Sequence, residues 1–297
     1  MVEALARARQ PLAGQSYDER RPAPTLAGLV STVWVQRVAA EAAPYTHRTV
    51  PNGSVEVRCR IGSTPLVVGP LTRPLVEMLE PGTTIVGVRF RPGAAAAVLG
   101  LPASELVDQT VESDELLGRA AGVTRELVAG SASPAAGLAL LQRQVMGRLA
   151  DATDPDPLIA EAVQRLMPWR DGDVGSLRST LSISERQLRR RCRASVGLAP
   201  KVLHRLLRFQ GFLAMTQQAL AQGQRPTGDG LAMLAAEAGY TDQSHLTREC
   251  LRLTGQTPAV FLGETARHCG CGHDHAASYE PLLRRRATMA VSYKRPL

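Results

Sequence analysis

The chain has 297 residues, 44% of them hydrophobic and 21% charged, with a net charge of +8. That length suffices for a sizeable core and predicts two domains. No apolar run reaches the roughly 18 to 20 residues that a membrane span needs, and five unevenly placed cysteines argue against a secreted disulfide scaffold.

The first 24 residues lack the continuous apolar stretch of a secretory signal and read as a mobile arm, which makes a cytoplasmic location the expectation. Residues 26–92 then alternate short β-like runs with turns. LVSTVWVQRV (29–38), SVEVRCRI (54–61), PLVVG (65–69) and TTIVGVRFR (83–91) are rich in Val, Ile and Thr, and Pro-Asn-Gly (51–53), Gly62-Ser63 and Pro81-Gly82 separate them. In the second run Val55, Val57, Cys59 and Ile61 alternate with Ser54, Glu56, Arg58 and Arg60. Such alternation predicts a small antiparallel barrel or sandwich with one face buried. From Ala94 onward the pattern turns helical through AAAAVLG, SELVDQ, DELLGRAAG and AGLALLQRQVMGRLAD, until D-P-D-P (154–157) breaks it. The overall expectation is an α+β chain: a sensor, regulatory or dimerisation domain over 25–154, an all-α domain over 155–263, and a tail over 264–297.

Charge supports that division. Residues 1–154 carry 15 Arg against 15 Asp and Glu, whereas the remaining 143 carry 20 Lys and Arg against 12 Asp and Glu. An excess confined to one half points to a polyanionic partner for that half.

The all-α half holds an internal echo. RRRCRASVGLAP (189–200) and TRECLRLTGQTP (247–258) match in Cys, Gly and Pro at an offset of 58 residues, and each follows a short apolar helix and a tight turn. Two short helices joined by a tight turn, the second polar and basic at its start, form the helix-turn-helix signature. Ser184 opens S-E-R-Q, a capping-box pattern with Gln187, and Leu188 and Cys192 lie one turn apart on the predicted buried face. Arg186, Gln187, Arg189 and Arg190 are then candidate DNA contacts. In the second copy Asp242 is the predicted N-cap, Leu246 and Cys250 form the buried pair, and Gln243, Ser244, His245, Thr247 and Arg248 are the candidates. Arg can pair bidentately with guanine and Gln with adenine in the major groove, although most contacts of this kind go to the backbone.

AAEAGYTDQSHLTRECLRLTGQTPAVF and SERQLRRRCRASVGLAPK resemble the AraC/XylS family of bacterial transcription regulators, over roughly 158–263. The resemblance implies two helix-turn-helix units bridged by one long helix, with residues 201–217 as the bridge. It also implies double-stranded DNA as partner, RNA polymerase and a small-molecule effector as further partners, and a homodimer as an assembly option. PNGSVEV, VVGPLTRP and GVRFRPGAAAAVLGLPASELVD are similar to a sensor-like domain found ahead of such units in actinobacterial relatives. Three departures stand out: Arg178 where the family usually has a small residue, Ser182 where it often has Gly, and Cys192 and Cys250 where it usually has a core Phe.

Cys192, Cys250 and Cys59 fit two readings, small buried hydrophobes or a thiol switch. H-C-G-C-G-H-D-H in the tail sets His268, Cys269, Cys271, His273 and His275 together, donors suited to Zn or Cu(I). Their spacings are tighter than those of standard zinc sites. They make a metal- or thiol-responsive binding protein the alternative to a DNA-binding regulator, with bracing of the preceding helices as the plainer role. An enzyme is not expected: the chain carries no P-loop, dinucleotide fingerprint or G-x-S-x-G, and only Cys59 could serve as a methyl-accepting thiol in the N-terminal half.

Overall fold

The computed structural model describes residues 14–117, 130, 131, 133–168, 170, 172–224, 228–268 and 282. A six-stranded antiparallel sheet organises the N-terminal half in the order β1-β2-β7-β4-β5-β8, with β1 Gln15–Arg20, β2 Val30–Val38, β4 Glu56–Arg60, β5 Leu66–Val68, β7 Thr84–Phe90 and β8 Thr110–Glu112. A second, two-stranded sheet pairs β3 Tyr45–Thr49 with β6 Leu75–Leu79. Among the described residues, helices α1 Ala95–Leu99, α2 Ser113–Leu117 and α3 Pro134–Arg148 belong to this half as well.

The strand period of two sorts the side chains. Val33 and Val35 of β2, Val57 and Cys59 of β4 and Val86, Val88 and Phe90 of β7 face α1 and α3, whose Val98, Leu99, Leu138, Leu141 and Val145 close an apolar core. The opposite face carries Tyr17, Glu19, Trp34, Gln36, Glu56, Arg58 and Arg89, so a sheet with one solvated face would be the expectation. That expectation is corrected: Glu19, Glu56 and Arg58 are only 6%, 6% and 5% exposed. The β3–β6 ribbon covers them, packing Leu79 and Tyr45 against Trp34, Val38 and Ile85 and pairing Glu77 with Arg58.

A second correction concerns the arm. Residues 15–20, expected to be mobile, pair with β2 in register from Gln15↔Val38 to Arg20↔Val33. Their polar sequence QSYDER hides the strand, because its inward residues Tyr17 and Glu19 are satisfied by one cation, Arg89, rather than by apolar burial. SELVDQ forms only a 3-10 turn over Ala103–Leu106, and the chain then returns to the sheet as β8.

In the C-terminal half α4 Pro157–Arg165, α5 Val174–Leu181, α6 Glu185–Val196, α7 Pro200–Ala221, α8 Asp229–Glu237, α9 Gln243–Thr254 and α10 Pro258–His268 follow one another. They share a separate core in which Ile159, Leu177, Leu188, Leu203, Leu206, Phe209, Phe212, Leu246 and Leu253 are fully or almost fully buried. The cores change between Leu149, which packs on the first, and Ile159, which lies in the second. Among the described residues no helix is long and apolar enough to cross a membrane.

Candidate nucleic-acid interface

Helices α5 and α6 form the first helix-turn-helix. Asp173 caps α5, its carboxylate accepting from the Ser176 amide. The turn is made by Ser182, left-handed at φ 52°, ψ 40°. A residue with a Cβ pays steric energy there, so the position ordinarily favours glycine. Arg178, the other departure in this unit, is exposed and leaves the packing untouched. Ser184 then starts α6 with a full capping box: its hydroxyl accepts from the Gln187 amide at 3.2 Å and the Gln187 Oε1 accepts from the Ser184 amide at 2.9 Å.

From that cap the helical period places Leu188, Cys192 and Val196 in the core and leaves Arg186, Gln187, Arg189 and Arg190 exposed. Gln187 Oε1 is engaged by the cap, which leaves its amide nitrogen for outside contact. Arg193, one turn beyond Arg189 and Arg190, is exposed as well. The spacing that singled out the earlier arginines also includes it. Arg191 points elsewhere, donating to Asp156 at 2.7 Å, and Asp156 also caps α4 by accepting from the Leu158 amide.

The second unit, α8 and α9, repeats this construction. Asp242 caps α9, accepting from the His245 amide at 2.6 Å. Leu246, Cys250 and Leu253 enter the core, while Gln243, Ser244 and Arg248 are exposed. His245 and Thr247 are half-buried and locally engaged. The His245 ring stands edge-on to Tyr240 with centroids 5.1 Å apart and lies 3.2 Å from the Thr241 hydroxyl; Thr247 donates to the Gln243 carbonyl. Both helices end on left-handed glycines, Gly197 at φ 84° and Gly255 at φ 76°, and the prolines that follow, Pro200 and Pro258, open the next helices. The echo in sequence is therefore an echo of caps, core contacts and exits. Bridging helix α7 holds the second unit through Arg205, whose Nε donates to Glu249 at 3.0 Å, and through Arg208 stacked 4.9 Å over the Tyr240 ring.

The thiols Cys59, Cys192 and Cys250 are all buried and free. Burial pushes the first two up to about 12 and Cys250 up to about 11, its hydrogen bonding with Thr254 opposing the rise. A reactive cysteine needs the reverse, a stabilised and accessible thiolate. Of the tail cluster, only the backbone of His268 falls within the described residues, at the end of α10; Cys269, Cys271, His273 and His275 lie outside them. Among the described residues no three His, Cys, Asp or Glu side chains are placed to hold a metal ion.

Residues 177–264 match the model of a helix-turn-helix domain, and residues 18–112 match a domain of unknown function (DUF6597). No curated protein matches the chain. Solved structures with some likeness include ToxT from Vibrio cholerae O395, at 9% identity and a TM-score of 0.41 over 84% of this chain and 97% of that one. Apo ToxT from Vibrio cholerae strain SCE256 is similar at 10% identity and a TM-score of 0.42, over 86% and 99%. The matched residues span both helix-turn-helix units, from α5 into α10, so this half of the chain is a helix-turn-helix domain.

Proposed function

We propose that α6 and α9 enter successive major grooves on one face of double-stranded DNA, and that the N-terminal domain biases this docking in response to an effector. The observation that supports the reading is the matched construction of the two helices. Each is capped at its start, buries a Leu-Cys pair on one face and presents exposed arginine on the other, Arg186, Arg189 and Arg190 in α6 and Arg248 in α9. The net positive charge of this half supplies the attraction to phosphate.

The test is a footprint on duplex selected by the full chain from a random pool. Protection should cover about two helical turns with half-sites roughly 10 bp apart, and affinity should fall steeply as salt rises. Arg190→Ala or Arg248→Ala should each cost about 1–3 kcal/mol on the selected duplex if it reads a base. Protection of a single half-turn, or affinity indifferent to salt, would sink the proposal.

A further inference from the structure

Strand β3 runs between the two halves of the molecule, and its alternation turns His47 and Arg48 to opposite sides. His47 turns towards the polar layer under the ribbon, opposite Glu77 in register and within reach of the charges of Arg58, Glu56 and Arg89. Arg48, the next residue, turns the other way and leaves the N-terminal half. Its Nη1 donates to the main-chain carbonyl of Thr254 at 2.8 Å.

Thr254 is the last residue of α9, so its carbonyl is one of the four at a helix end with no partner inside the helix. A guanidinium there completes the carbonyl and meets the negative end of the helix dipole. Helix α9 is otherwise tied by Arg205–Glu249 and by its own core residues, all belonging to the DNA-binding half. Further contacts fix the position of β3 against that half. Gln210 of α7 donates to the Pro51 carbonyl at 2.9 Å, just past the end of the strand, and Val50 packs on the helical core.

We infer that Arg48 is a positioning residue for the second recognition helix. It fixes the C-terminal end of α9 from outside the DNA-binding half, so the angle at which α9 meets a groove depends on where β3 sits. The same strand carries His47 beneath the ribbon, which makes β3 the element that reports a change in the polar layer to α9. Helix α6 has no such cationic cap among the contacts described; its exit at Gly197 lies instead against the carbonyl of Ala103, with Pro70 and Val107 beside it. The inference rests on the proposed use of α6 and α9 as a pair, and it predicts an effect on one half-site only.

The experiment uses the full chain and the duplex it selects, with each half-site assigned to its helix by the Arg190→Ala and Arg248→Ala variants. Arg48→Ala should leave the α6 half-site protected at the wild-type concentration. It should weaken the α9 half-site by about 5- to 30-fold, the upper range for one favourable, partly buried charge at a helix end, because an α9 no longer held in place must be ordered on binding. Arg48→Lys keeps the charge and one donor and should recover part of the loss. Arg37→Ala, which removes an exposed arginine of β2, should change neither half-site. Equal weakening of both half-sites by Arg48→Ala, no change at either, or tighter binding at the α9 half-site would overturn the assignment. Failure of the wild-type chain to select any duplex would instead remove the two-helix reading beneath it.

Discussion

Arg89 is the cation on which the polar layer of the N-terminal half depends. Its Nε donates to Glu56 at 2.6 Å, one Nη to Glu19 at 3.0 Å and the other to the Tyr17 hydroxyl at 3.2 Å. The three charged side chains are 17%, 7% and 2% exposed for Arg89, Glu56 and Glu19, so solvent screens them little. Burial alone would lower the Arg89 pKa; the opposing charges of Glu56, Tyr17 and Glu19 hold it well above its ordinary value. Arg89→Met preserves most of the side-chain volume and leaves two carboxylates without their cation. Removing one partner of a buried pair costs about 3–5 kcal/mol, and here two acids lose that cation at once while Glu19 keeps the Tyr17 hydroxyl at 2.7 Å, so a loss within that range is expected. Urea unfolding followed by the fluorescence of Trp34 in a Trp169→Phe background reports on the layer, since the Trp34 ring centroid lies 5.7 Å from that of Tyr17. The triple variant Arg89→Met, Glu19→Gln, Glu56→Gln should recover most of the loss, because neutral amides need no counterion. A loss below about 1 kcal/mol for Arg89→Met, or a triple variant no more stable than the single one, would refute the reasoning.

Ser182→Gly should raise the thermal midpoint, stabilising the chain by about 0.5–1 kcal/mol; relief of the left-handed strain exceeds the entropy that glycine loses on folding. An unchanged or lowered midpoint would show that the turn holds Ser182 without strain. Stability should also decline as pH falls below about 6.5. Burial lowers the pKa of the His47 ring from its ordinary 6.5, Glu77 opposing and Arg58 assisting, and burial followed by the charge of Arg208 does the same to His204. Both rings stay neutral in the fold while the unfolded chain gains protons, so this stability is complete above the unfolded pKa and is lost as pH drops towards the folded values. Urea midpoints at pH 7.5, 6.5 and 5.5 should fall in that order, and the doubly substituted His47→Gln, His204→Gln chain should show a flatter profile. A profile equally steep in that variant would assign the loss to other groups.

Local order explains why the C-terminal half was legible in advance. Caps, buried pairs and exits of α6 and α9 are set within one or two helical turns, so Ser184 with Gln187, Leu188 with Cys192, and Asp242 with Leu246 and Cys250 declare themselves by spacing alone. Strands β2, β4, β5 and β7 were likewise visible through their β-branched residues, whereas β1, β3 and β6 were not. The inward side chains of those three include Tyr17, Glu19, His47 and Glu77, polar residues that resemble a surface until a second layer covers them.

The amino-acid sequence by itself determined the helix-turn-helix pair and its cationic faces, since helical periodicity and capping act over a few residues. Only the tertiary structure decided that Glu56 and Arg58 lie inside, that Arg89 neutralises acids from two other strands, and that Arg48 meets Thr254, 206 residues further along the chain. Those contacts join side chains whose separation in sequence carries no information about their separation in space. Whether a charge is solvated, paired or used as a helix cap depends on what the rest of the chain places over it.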